Sequence, residues 1–78
     1  MKELVQYLAR SLVDNPDAVE VIETQGETAS VLELKVAKQD LGRIIGKQGR
    51  TAKSIRTILN AAASRVNRKV ILEIVEER

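Results

Sequence analysis

The chain has no cysteine, histidine, tryptophan or phenylalanine among its 78 residues. Lack of cysteine excludes disulfides, thiolate zinc sites and a thiol nucleophile. Lack of histidine removes the most frequent general acid–base group and metal ligand, so neither a metal nor an organic cofactor is expected. Tyr7 is the only aromatic residue, which excludes a surface that stacks bases on aromatic rings. No segment approaches the ~18 apolar residues of a membrane span. The start, Met1-Lys2-Glu3-Leu4, lacks the apolar run and cleavage pattern of an export signal. A reducing, cytoplasmic location away from membranes is the resulting expectation.

What is present is enough apolar residue, 44% of the chain spread along its length, to fold. Residues 1–78 read as one domain, too small for a deep catalytic cavity because a chain of this size buries only roughly 60–65% of its unfolded surface. The formal charge of +2 hides a division. Residues 1–40 carry four basic and eight acidic residues, whereas residues 41–78 carry nine basic and three acidic. Between Asp40 and Glu73 stand Arg43, Lys47, Arg50, Lys53, Arg56, Arg65, Arg68 and Lys69, with no acid among them. A merely solvated surface mixes both signs to avoid self-repulsion; this one-sided segment points to a polyanion.

Leu4, Val5, Leu8 and Leu12 recur at helical spacing and predict a helix over 2–13, ended by Asp14-Asn15-Pro16-Asp17. A strand is expected over 18–24 and a turn at Gln25-Gly26-Glu27. Alternating Leu32, Leu34 and Val36 mark a half-buried second strand. Asp40 has the position of an N-cap for a short helix to Ile45. A longer helix follows Gly49, with Ala52, Ile55, Ile58, Leu59, Ala62 and Val66 on one stripe. The run Val70-Ile71-Leu72-Glu73-Ile74-Val75 is apolar enough to suggest a central strand. The order is α-β-β-α-α-β, an α+β chain.

At the junction of the last two helices lies Ile44-Ile45-Gly46-Lys47-Gln48-Gly49-Arg50. Two glycines three apart let another backbone approach a bare, basic loop, and the start of the following helix offers unpaired N–H groups and partial positive charge to a phosphate. Taken with the element order, these residues resemble the type II KH domain, whose GXXG loop clamps about four nucleotides. The resemblance covers nearly the whole chain and is closest to small single-KH bacterial RNA-binding proteins. It implies a mixed three-stranded sheet with three helices on one face, and a module that binds short single-stranded RNA in an apolar groove. RNA would meet Arg43, Ile44, Ile45, Gly46, Lys47, Gln48, Gly49, Arg50, Lys53 and Arg56, with Ile44 and Ile45 supporting the loop and one of them lining the groove. It further implies a role as RNA chaperone or post-transcriptional regulator, a homodimer, and association with a larger KH-containing partner.

Two other readings stand beside it. Gly46 can be a helix C-cap and Gly49 a turn residue, with Lys47 and Gln48 simply solvated. The fold can also serve protein interaction or dimerisation with little RNA binding, since Ala61, Ala62, Ala63 and Ser64 permit close helix approach. A nucleotide-hydrolase loop fits poorly, because Gly42 to Gly46 is one residue short and Gln48 stands where a magnesium-binding hydroxyl is needed. No enzyme is expected. Arg65, Arg68 and Lys69 have the bland role of neutralising a helix C-terminus.

Overall fold

A computed structural model describes residues 1–76; Glu77 and Arg78, the end of the expected 1–78 unit, lie outside it. Helix α1 (Lys2–Leu12) buries Val5 and Ala9, with Leu4 and Leu8 packed beside them. It stops where Val13 turns extended, followed by a short 3₁₀ turn over Pro16–Ala18. Strands β1 (Glu20–Gln25) and β2 (Ala29–Val36) form an antiparallel pair. Helix α2 (Leu41–Ile45), the Gly46–Gly49 loop and helix α3 (Arg50–Ser64) then lead to β3 (Lys69–Glu76). This is the expected α-β-β-α-α-β order, as a mixed sheet with three helices.

In β2 the period of two reports burial directly: Ser30, Leu32, Leu34 and Val36 are buried while the alternate residues are half-exposed. The core joins Val5, Ala9, Val21, Leu32, Leu34, Val36, Ile44, Ile55, Leu59, Ala63 and Leu72. Six of these larger side chains, Val5, Leu32, Leu34, Val36, Ile44 and Leu59, are no more than 1% exposed. Ile22, which breaks the alternation of the first strand, points away from the core and is exposed, whereas Val21 is buried.

Several expectations are corrected. Strand β3 is an edge, because the sheet order is β1-β2-β3 with β3 parallel to β2. Its apolar run arises because Val70 and Leu72 enter the core while Ile71 stays 44% exposed on the other sheet face. The buried stripe of α3 is Ala52, Ile55, Leu59 and Ala63, so Ala63 takes the place expected for Ala62. Ile58 is exposed, and Val66 lies past the helix end in a turn where Val66 N donates to Ala63 O.

Asp40 precedes α2 as expected but makes no side-chain cap there. It is 1% exposed, and its carboxylate accepts the backbone N–H of Asp14 (3.2 Å) and of Asn15 (3.0 Å). The acid thus ties the chain leaving α1 to the start of α2. Arg68 also departs from its expected role at the helix terminus. Its guanidinium donates to Gly26 O (3.1 Å), Glu27 O (3.4 Å) and Ser30 Oγ (3.0 Å), pinning the β1–β2 turn.

Candidate nucleic-acid interface

Helix α2 ends because Gly46 adopts φ 78°, ψ 171°, while its N–H still donates to Gly42 O at 2.8 Å. That backbone region is essentially closed to residues with a Cβ. Gly46 therefore is the C-cap of α2, and this is compatible with the loop also facing a ligand. Lys47 to Gly49 form one 3₁₀ turn, in which Gln48 (φ 58°) and Gly49 (φ 76°) are left-handed. Three positive φ values in four residues turn the chain so sharply that α3 starts at once, with Arg50 its first residue. Gly46 and Gly49 are partly buried, whereas Lys47, Gln48 and Arg50 are exposed.

Ile44 and Ile45 divide the work beneath this loop. Ile44 is fully buried and joins the core, so it supports the loop and offers no surface to a ligand. Ile45 is 40% exposed and is the apolar residue available beside the loop. Arg43, on the same helix, is exposed and paired with Asp14, Nη2 to Oδ2 at 3.0 Å.

From the loop, Lys53, Arg56 and Asn60 follow one side of α3 at spacings of three and four. Arg56 leans to the sheet and donates to Leu72 O of β3 at 3.2 Å. Here α3 and β3 bound a cavity of about 200 Å³, lined by Arg56, Leu59, Asn60, Val70, Ile71 and Leu72. Its walls are apolar, with a guanidinium, an amide and strand backbone as polar groups. A space of this kind accepts a flat, partly apolar group and offers it hydrogen bonds. Sequence reasoning named the loop and the cations but not Asn60 or the β3 wall, since only the edge position of β3 brings these beside Arg56. The basic row and the loop meet along one helix; Arg68, held by the β1–β2 turn, is apart from them.

Among the described residues no cluster of side chains is disposed to hold a metal ion, and no helix is long and apolar enough to cross a membrane.

Residues 2–74 match the family described as KhpA/KhpB, KH domain. The chain belongs to this family. It is 56% identical over 75 residues to the RNA-binding protein KhpA of Clostridium perfringens, covering 96% of this chain and all of that protein. It is 55% identical to the RNA-binding protein KhpA of Chlamydia trachomatis over the full length of both. With the one from Aquifex aeolicus it shares 47% over 76 residues, 97% of this chain and 96% of that protein. No solved structure matches it significantly. The segment Gly46-Lys47-Gln48-Gly49, with α2 before it and α3 after it, has the sequence pattern Gly-x-x-Gly.

Proposed function

We propose that this chain is a non-catalytic KH module that holds a short stretch of single-stranded RNA between the Gly46–Gly49 loop, α3 and the free edge of β3. The observation that carries this reading is the continuity of the loop with the Lys53–Arg56–Asn60 row and the cavity it leads to. The backbone N–H groups at the start of α3, with Lys47 and Arg50, suit phosphates. The apolar cavity suits an unpaired base, whereas a stacked duplex does not enter it. The relatives named RNA-binding protein KhpA support the same ligand class.

The test is the double substitution Lys47→Asp and Gln48→Asp, which leaves both glycines in position. Affinity for a single-stranded RNA decamer is expected to fall at least about tenfold, roughly 1.4 kcal/mol, the scale of lost charge-assisted contacts. The melting temperature should hardly move, since both side chains are exposed. Undiminished affinity would remove the loop from the binding site.

A second activity, self-association, is favoured by another observation. Ile58 is 44% exposed and Ala61 is exposed, on a part of α3 away from Lys53 and Asn60. Sedimentation of Ala61→Tyr separates this role from RNA binding: a dimer through this face becomes monomeric with its loop intact. Two weak sites in one dimer would raise avidity for RNA. A KhpB-like KH protein is the corresponding heterologous partner, and an RNA-chaperone or post-transcriptional role in the cytoplasm is the setting we infer.

A further inference from the structure

Of the basic residues around the loop, Arg43 alone closes an ion pair among the described residues, with Asp14 at 3.0 Å. Both side chains are exposed, at 57% and 73%, so neither is confined by packing. The carboxylate is nevertheless delivered to Arg43 by fixed backbone. The N–H groups of Asp14 and Asn15 are held by buried Asp40, and Asp40 immediately precedes α2, the helix that carries Arg43. The two ends of the pair are therefore tied together through a third residue. Arg43 lies on α2, three residues before Gly46, the first glycine of the loop.

We infer that Asp14 limits the affinity of the site by holding the Arg43 guanidinium off the RNA phosphates. This rests on the reading of the Gly46–Gly49 loop as the RNA clamp. A phosphate approaching the α2 side of the loop meets a pair already neutralised by the 3.0 Å contact and finds no free cation there. Freed of Asp14, the guanidinium has the fork geometry that binds phosphate oxygens in pairs. The ligand group concerned is the phosphodiester, so the restraint acts on all sequences alike. Arg43 is then a latent cation, and the wild-type site works below the affinity its side chains allow.

The experiment is a four-protein cycle of wild type, Asp14→Asn, Arg43→Gln and the double variant. Each is titrated with a single-stranded RNA decamer of mixed sequence at several salt concentrations. Asp14→Asn keeps the backbone N–H that Asp40 accepts. It is expected to bind about three- to fivefold tighter, the scale set by releasing one exposed ion pair. Its plot of log K against log salt should steepen by up to about 0.7, one added phosphate contact on a single strand. Arg43→Gln should bind no more tightly than wild type, and the gain from Asp14→Asn should disappear in the double variant.

Equal gains from Asp14→Asn with and without Arg43 would mean a general field effect, and no gain at all would mean no restraint; either overturns the inference. Should Asp14→Asn disturb folding, Asp14→Ser provides the same cycle. The Lys47→Asp, Gln48→Asp protein titrated alongside separates the two readings. Its loss of affinity without a gain at Asp14 refutes the restraint alone, whereas its undiminished binding refutes the clamp.

Discussion

Thr51 fills the space that a side chain on residue 46 would need: a Cβ built on Gly46 falls 2.6 Å from Thr51 Cβ and 2.8 Å from Thr51 N. A Cβ on Gly49 meets nothing within 4 Å. The two glycines of the loop are thus required for different reasons, one for space and backbone shape together, the other for backbone shape alone.

Substitution should separate them. Gly46→Ala is expected to cost roughly 2–4 kcal/mol, combining the closed φ/ψ region with overpacking. Gly49→Ala should cost about 1–2 kcal/mol, and Gly49→Asn less, because asparagine tolerates the left-handed region. Urea unfolding of the three variants measures the order. A Gly46→Ala protein as stable as Gly49→Asn would show that Thr51 yields freely.

Asp40 carries a second expectation. Asp40→Ala leaves the N–H groups of Asp14 and Asn15 without their acceptor in a part-buried setting. The loss is expected to be roughly 2–4 kcal/mol, a large fraction of the total stability of a chain this size, about 4–12 kcal/mol. Asp40→Asn keeps one acceptor oxygen and should lose about half as much. Were Asp40 only a helix cap, the alanine variant would cost nearer 1 kcal/mol, and chemical denaturation distinguishes the two.

Salt dependence tells binding cations from structural ones. With about three phosphate contacts, log K for single-stranded RNA should fall against log salt with a slope near −2, at about 0.7 per contact. Arg50→Gln or Lys53→Gln should each make it shallower by about that amount. Arg68→Gln should leave the slope unchanged and instead lower stability by about 1–2 kcal/mol, through its lost hydrogen bonds to Gly26, Glu27 and Ser30. Equal slope changes in both sets would indicate a diffuse basic surface with no defined path.

The parts legible in the sequence were those with a local code. Leu32, Leu34 and Val36 declare a half-buried strand because side chains alternate across a sheet, and Gly46 and Gly49 declare a turn because few other residues adopt its angles. Taken along the chain, these local patterns give the order of elements, and the KH resemblance adds the mixed sheet. The rest depends on neighbours distant in the chain. Nothing local in Val70–Val75 says that one side of the strand is unpaired, and nothing near Asp40 names residues 25 and 26 positions earlier as its partners. Val66 continues the apolar period of α3, but the helix ends at Ser64, so the period has no surface to face.

The parallel pairing of β2 with β3 has a consequence for how the molecule is made. Parallel neighbours cannot be joined by a hairpin, and the crossover between them here is α2, the Gly46–Gly49 loop and α3. The loop is therefore part of a long connection, whose closure costs more entropy than that of the β1–β2 hairpin. During synthesis α3 emerges before β3, so the basic row exists for a time with no opposite wall. A nascent chain truncated before Lys69 would keep its cations yet lack the strand edge, attracting polyanions without being able to seat a base. In the proposed site, selectivity for unpaired bases arrives only with the last strand.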